Sequence, residues 1–242
     1  MKRIFLEETH STNEYAKARR GIGENLLVVA ERQTDGRGTK GRSFSSQKGG
    51  VYLSLLSFYK EFPASNAFQI MQGAAAAVCE TLAVFGLKPK IKWANDVYVN
   101  GKKICGILIE NALKGKYIAS SVVGIGLNVC NELPEDLLDI ATTIFLETGK
   151  KISVERVIET LVDFLQEKNI YEKYARYLGW MGEEVTLVIG DEKKRAKLLS
   201  VDDTGGLWTI IDGEKKRFVA AEVSFRVASL VKENEENANG IG

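Results

Sequence analysis

Apolar and polar positions fall into short blocks along most of the chain. Residues 2 to 8 and 26 to 33 read as strands, and a short helix between them can start at Ser11, Thr12 or Asn13. After a Gly-rich basic loop from Thr34 to Gly50, Val51, Leu53 and Leu55 alternate with Tyr52 and Ser54 as a half-buried strand would. From Ser65 to Phe85 the apolar residues Phe68, Met71, Ala75, Val78, Leu82 and Phe85 step by three and four. That spacing predicts a long helix with one core face, ended by Gly86 and Pro89. Val97-Tyr98-Val99 and the run Lys103 to Glu110 flank Asn100-Gly101, the strongest short hairpin signal. Lys114-Gly115 then turns into a strand from Tyr117 to Val123, and Val154, Val157, Ile158, Leu161, Val162 and Leu165 predict a second amphipathic helix continuing towards Tyr177.

Beyond Gly182 the texture changes to five short β-type runs, Val185 to Ile189, Ala196 to Val201, Leu207 to Ile211, Arg217 to Ala220 and Val223 to Val227. Turns such as Asp202-Asp203-Thr204-Gly205-Gly206 break them, which predicts a small barrel appended to an α/β domain. Residues 1–180 are expected as the main domain and 181–230 as the small one. The polar, aperiodic residues 231–242 read as a frayed tail.

Composition narrows the class. The chain has 242 residues, 45% hydrophobic and 27% charged, with three prolines, which is ordinary globular usage. No apolar run is expected to reach the roughly 20 residues of a membrane span. The acidic Glu7-Glu8 follows too soon for a secretory leader, so a cytoplasmic location without membrane association is expected. With 33 Lys plus Arg against 32 Asp plus Glu, no global field exists to hold a polyanion. Cys79, Cys105 and Cys130 form no C-x-x-C pair and read as buried apolar residues in a reducing compartment. His10 is the sole histidine, so a multi-His metal site is excluded and Ser-His-Asp chemistry has one candidate.

Gly36-Arg37-Gly38-Thr39-Lys40-Gly41 matches G-x-G-x-x-G after a strand, but no helix opens at the glycines, so the dinucleotide reading fails on context. What remains is a loop carrying Arg37, Lys40, Arg42 and Lys48. It can capture an anion, or it is a solvated basic loop. In Lys90-Ile91-Lys92-Trp93-Ala94-Asn95-Asp96, a lysine entering the core requires an anion. Lys92 is the candidate, Lys90 equally the solvated one, and Asn95 and Asp96 read also as turn residues. Gly124-Ile125-Gly126-Leu127-Asn128 closes a strand with two glycines, which mark close approach of a ligand or a bulge.

These segments resemble the biotin–protein ligases. The resemblance lies in Ser11-Thr12-Asn13, Gln33 through Arg42, Lys92-Trp93-Ala94-Asn95-Asp96, Gly106-Ile107-Leu108-Ile109-Glu110 and Gly124 through Asn128, and it closes at Glu222-Val223-Ser224-Phe225-Arg226. It implies an α+β fold, a mixed or antiparallel sheet packed by helices like a class II synthetase catalytic domain, with a small C-terminal SH3-like β-barrel. It also implies an enzyme that activates biotin with Mg-ATP to biotinyl-5′-AMP and passes biotin to a lysine of a biotin carboxyl carrier protein, as in acetyl-CoA carboxylase. Mg²⁺ would be held by substrate phosphates and water, with no dedicated metal site on the protein.

By the same resemblance, Lys92 and Arg37 are the expected catalytic cations, and Ser11, Thr12, Asn13, Gln33, Arg37, Gly38, Thr39, Lys92, Gly106 and Gly124 contact biotin. Arg37, Arg42, Trp93, Asn95, Asn128 and Arg226 fall to the nucleotide. Relatives commonly have Arg at Thr39, Pro at Ala94 and Trp at Phe44; the first departure removes a cation from the loop that shields the adenylate. Many relatives also carry an N-terminal DNA-binding module. Only ten residues precede Ser11, so no operator binding is expected. An exposed strand edge is available to a carrier domain or to a second copy in a homodimer. Two rival readings stand beside this one, a lipoate–protein ligase of the same fold and a non-catalytic protein that binds biotin or the carrier.

Overall fold

The structure, a computed structural model, describes residues 1–220 and 223–227, and for Lys40, Arg226 and Val227 the backbone alone. Glu222 of the closing motif and the expected tail lie outside the described residues. The chain divides into Met1–Ile91 with Asn95–Tyr177, and Lys92–Ala94 with Leu178–Gly242.

The first unit is built on seven strands: β1 (Lys2–Thr9), β2 (Leu26–Gln33), β3 (Val51–Pro63), β4 (Lys90–Lys92), β5 (Asp96–Val99), β6 (Lys102–Lys114) and β7 (Tyr117–Leu127). Their order is β1-β2-β3-β7-β6-β5-β4. The first pair is parallel, and β2 through β5 pair antiparallel, so the sheet is mixed as expected. Val51–Leu53 are buried on both faces rather than half-buried, and the strand runs on to Pro63.

The two faces differ because their side chains do. Leu53, Leu55, Val123, Ile125 and Ile107 share one face through the β3–β7–β6 register. The other carries Ser54, Gly124, Gly126 and Gly106, with Leu26, Val28, Leu56 and Val122 forming an apolar end that packs on Ala16. The short helix α1 (Thr12–Lys17) lies on this second face against β2, β3 and β7. Its start follows from Ser11, extended in backbone, whose hydroxyl accepts from the Glu14 amide.

Helix α2 (Ala67–Val84) packs against β5, β6, β7 and α4 (Val154–Leu165). Its middle, Ala74–Cys79, is fully buried, and small Ala side chains allow the close approach. By length and composition the stretch Ala64–Val84 would reach across a bilayer, contrary to the expectation that no run comes near that length. Here its apolar residues are spent on the sheet and on α4. Helix α4 opens at Ser153, which caps the Arg156 amide, and stops at Leu165 instead of continuing to Tyr177. Asn169 in the left-handed region breaks the run, and the chain resumes as the 3-10 turn Ile170–Lys173 and α5 (Tyr174–Tyr177) packed on α2. A further helix, α3 (Ile144–Thr148), capped by Thr143 and closed by Gly149, was not visible in the periodicity because it has barely one turn. Cys79 and Cys105 are buried, whereas Cys130 is exposed, its Sγ 3.4 Å from the Gly49 carbonyl.

In the second unit β8 (Glu184–Ile189), β9 (Glu192–Val201), β10 (Leu207–Ile211), β11 (Glu214–Phe218) and β12 (Val223–Val227) form an antiparallel sheet ordered β11-β10-β9-β8-β12. Four of the five expected strands are present where the runs place them, and the fourth is displaced towards the N-terminus, β11 covering Glu214–Phe218 instead of Arg217 to Ala220. The order describes a five-stranded sheet with β11 and β12 at its edges. Its β9–β10 connection turns on Asp202: one carboxylate oxygen accepts from the Thr204 and Gly206 amides and the Thr204 hydroxyl, the other from Trp208 Nε1 and Arg217 Nε. The Arg217 guanidinium, with these hydrogen bonds, holds the Asp202 carboxyl well below the usual carboxylate range.

A depressed carboxyl value contributes stability that is complete above its unfolded value of about 4 and is lost as pH falls below it. Asp202→Asn should therefore flatten the acid limb of unfolding, measured by denaturant midpoints between about pH 2 and 6. Parallel acid limbs in the two proteins would contradict this.

Candidate active site

The small-residue face of the first unit gathers polar side chains that a bulkier sheet would exclude. Gly124 pairs with Ser54 on β3 and Leu108 on β6, and Gly126 pairs with Tyr52 and Gly106. A Cβ at Gly124 would overlap the Asn13 side-chain amide oxygen, and one at Gly126 would lie 2.5 Å from Phe44 Cε1. Both glycines thus mark close approach, and neither sits at a break in the β7 register.

Over this strip Ser11, Thr12 and Asn13 are buried at the start of α1. The Thr12 amide and hydroxyl both donate to Gln33 Oε1, at 2.8 and 3.0 Å, and the Ser54 hydroxyl lies 2.8 Å from Thr12 Oγ1 and 2.6 Å from Asn13 Oδ1. Gln33 Nε2 donates 2.8 Å to Ser46 Oγ, fixing its amide orientation. Asn13 Nδ2 donates 2.9 Å to Glu110 Oε2. Ser11, Thr12, Asn13, Gln33 and Gly124 are therefore brought together as one patch of hydroxyl and amide groups. Sequence reasoning missed Ser54, which joins two of them.

The basic loop is anchored beside this patch. Gly38 N donates 2.6 Å to Arg42 O, Arg37 bridges to Ser43, and Thr39–Gly41 form a 3-10 turn. Arg37 donates to Glu14 Oε1 at 2.9 Å and to Asp35 Oδ2 at 3.3 Å. Glu14 is shared with Lys17 at 2.7 Å, and Lys17 also meets Glu110 at 2.8 Å. Burial pushes the Glu110 carboxyl up, but hydrogen bonds from Lys17 and Asn13 outweigh it and hold the group below the ordinary Glu value. The Lys17 ammonium is raised by the same partners, Glu110 first and then Glu14. A ligand anion can draw Arg37 away without stranding Glu14, because Lys17 stays behind to neutralise it. His10 lies 3.2 Å from Asp35 and is mostly exposed. Arg42 donates to Thr39 O and Oγ1 at 3.3 Å, so Thr39 occupies its place as a tether.

Lys103 is the main residue that sequence reasoning missed. Its Nζ would lie 3.3 Å from a Cβ at Gly106, next to the Phe44 ring, and it pairs with Asp96 at 2.7 Å. Strict alternation sets an odd-numbered residue of β6 on the face opposite Gly106. A bulge in the β5–β6 register, between Val97 and Tyr98, returns Lys103 to the glycine face. The flanking segment fixes its backbone, since Lys103 N donates to Ile140 O and Lys103 O accepts from Thr142 N, both at 2.9 Å.

The other expected residues have their own surroundings. Lys92 is half-buried at the end of β4, with its Nζ 5.3 Å from the Phe225 ring centroid, and Lys90 is exposed. Trp93 is buried and donates 3.1 Å to Gly205 O, and the Trp93–Ala94 peptide is cis. Asn95 donates from its side chain to Ile107 O, on β6, at 2.9 Å. Asn128 is buried, bonded to Thr142 O and Asn131. Arg226 lies on β12, its side chain outside the described residues. Phe44, where relatives often have Trp, packs edge-on against Tyr52 at 6.4 Å and keeps the apolar face over Gly126.

Comparison with known proteins gives the arrangement a lineage. The family model described as "Biotin/lipoate A/B protein ligase family" matches residues 5–128, which include the whole patch, Arg37 and Lys103. The bifunctional ligase/repressor BirA of Bacillus subtilis is 33% identical over 240 residues, 91% of this chain and 73% of that protein. The biotin--[acetyl-CoA-carboxylase] ligase of Paracoccus denitrificans is 28% identical, over 91% of this chain and 99% of its own length. Among solved structures, the biotin protein ligase from Aquifex aeolicus in complex with biotin and ATP superposes with a TM-score of 0.78 at 33% identity, covering 94% of this chain and 99% of that one. The chain belongs to the biotin/lipoate A/B protein ligase family.

Proposed function

We infer that the chain is an ATP-dependent biotin–protein ligase. The observation that carries this reading is the juxtaposition, on one bare-backbone face, of the Thr12–Asn13–Gln33 patch with two cations, Arg37 and Lys103. Hydroxyls and amides match the donors and acceptors of a ureido ring, and the cations match a carboxylate and an α-phosphate. The relatives support it, being named as biotin ligases, one of them solved with biotin and ATP. A dithiolane ring offers such a patch no hydrogen bond, which disfavours lipoate. A pure biotin binder requires no pair of cations for an α-phosphate.

The chemistry is positioning and charge stabilisation. A biotin carboxylate oxygen attacks the α-phosphorus of ATP; the new P–O bond forms as the bond to pyrophosphate breaks, giving biotinyl-5′-AMP. An uncharged lysine amine of a carrier protein then attacks the acyl carbon, the bond to AMP breaks, and the amine loses a proton. Lys103 neutralises the carboxylate and the α-phosphate as their charges approach, and Arg37 exchanges Glu14 and Asp35 for ligand oxygens. Mg²⁺ enters with ATP as part of the substrate, held by phosphate oxygens and water. The acceptor is a biotin carboxyl carrier protein.

Pyrophosphate exchange into ATP should depend on biotin and not on lipoate. Lys103→Ala should lower it by on the order of 100-fold or more, as loss of one charge-stabilising donor does, while Lys92→Ala stays within about tenfold of wild type. Exchange abolished in Lys92→Ala but intact in Lys103→Ala would return the role to Lys92. Thr39 in place of the usual Arg leaves the adenylate less shielded. Wild type should release biotinyl-5′-AMP to bulk lysines faster than Thr39→Arg, read as non-specific biotinylation of a bystander protein, and equal rates would refute the assignment.

A further inference from the structure

We propose that Glu110 is a positioning residue that sets the preference of the site for a ligand bearing an N–H: by pinning the Asn13 amide it leaves the Thr12–Ser54–Asn13 network one proton short, and a ureido N–H of biotin makes good the deficit. The proposal rests on the ligase reading above and refines it.

Four side chains of the first unit make three oxygen contacts in a row: Gln33 Oε1 to Thr12 Oγ1 at 3.0 Å, Thr12 Oγ1 to Ser54 Oγ at 2.8 Å, and Ser54 Oγ to Asn13 Oδ1 at 2.6 Å. Both ends are acceptors held in place. The Ser46 hydroxyl spends its proton on Phe44 O and so accepts from Gln33 Nε2, which turns Gln33 Oε1 towards Thr12. Asn13 Nδ2 donates 2.9 Å to Glu110 Oε2 and lies 3.5 Å from Leu108 O, which turns Asn13 Oδ1 towards Ser54. Between these ends stand two hydroxyls with one proton each, so three contacts share two protons. One pair of oxygens always faces with lone pairs alone. Thr12, Ser54 and Asn13 are buried, so bulk water does not relieve that pair.

Turning the Asn13 amide over would cure the shortage. Asn13 would then donate to Ser54, Ser54 to Thr12 and Thr12 to Gln33, and the filled network would gain nothing from a ligand donor. Glu110 forbids that turn. Its Oε1 takes Lys17 at 2.8 Å and its backbone carbonyl takes Arg20 Nη2 at 2.9 Å, and these cations keep the carboxyl ionised, able only to accept. An Asn13 oxygen facing it would set lone pair against lone pair. The acceptor so fixed lies over the bare backbone of Gly124, where a Cβ would meet Asn13 Oδ1 before any other atom. A cyclic urea brings N–H groups to such a strip, whereas a dithiolane brings none.

The test is calorimetric binding of biotin without ATP, beside KM for ATP in pyrophosphate exchange, for Glu110→Gln, Asn13→Asp and the double variant. Glutamine keeps the length of glutamate but can also donate, so Glu110→Gln frees the Asn13 amide to turn. Its Kd for biotin should rise by about threefold to tenfold, the worth of one hydrogen bond, with KM for ATP within about twofold of wild type. Desthiobiotin, which keeps the ureido ring, should lose the same factor. Asn13→Asp alone sets two carboxylates face to face and should bind biotin more weakly than Glu110→Gln does. In the double variant the new glutamine donates to the new aspartate, whose other oxygen accepts from Ser54, and Kd should return to within about threefold of wild type. If Glu110→Gln does not fold, the same recovery is read between Asn13→Asp and the double variant. A double variant no better than Asn13→Asp, or equal rises in biotin Kd and ATP KM, would overturn the positioning role while leaving the ligase reading intact. A wild type without biotin-dependent exchange would overturn the ligase reading and the positioning role with it.

Discussion

The candidate site depends on a missing side chain. Gly124 leaves the β7 backbone open where the Asn13 amide settles, and any Cβ there would collide with it. Asn13 at that depth meets Ser54, which meets Thr12, which meets Gln33; so one bare position in a central strand lets a helix start, a strand and a loop share a hydrogen-bond network. Without it α1 would have to rise from the sheet, and the buried hydroxyls and amides would lose their partners at a cost of about 1–3 kcal/mol for each group left unpaired. Gly126 repeats the device for Phe44, and Gly106 leaves room for Lys103.

The proposed function sets a second constraint, that cations meant for an anionic ligand be neutralised meanwhile without being buried alone. Arg37 is held by Glu14 and Asp35, Lys103 by Asp96, and Lys17 bridges Glu14 to Glu110. Each cation remains partly exposed, so exchanging a protein carboxylate for a ligand oxygen costs little desolvation. A chain with a formal charge of +1 can in this way present a local cationic site without an overall basic surface.

Much of this was legible in the sequence where local rules decide. The strands around Asn100-Gly101, the long Ala-rich helix, the short strands after Gly182 and the polar start at Ser11 all follow from periodicity and turn chemistry. The Thr12–Asn13–Gln33 patch was legible through family likeness, and the structure adds Ser54 as its junction. Lys103 was hidden by a β-bulge, because alternation sends it to the wrong face. The hold of Gly205 on Trp93 spans 112 residues and has no local signature. Helix α4 ends short of Tyr177 because Asn169 adopts a left-handed conformation, a choice the apolar spacing does not register. Ala-rich composition makes the stretch Ala64–Val84 as long and apolar as a bilayer span, while tertiary packing makes α2 a core helix.

The central claim is that biotin sits against the glycine face with its carboxylate on Lys103, and a crystal structure of the chain soaked with biotin tests it most directly. The account predicts the bicyclic ring against Thr12, Asn13 and Gln33, with the carboxylate within about 4 Å of Lys103 Nζ, the range of an ion pair. A carboxylate directed to Lys92 instead, or biotin bound away from the Gly124 strip, would contradict it.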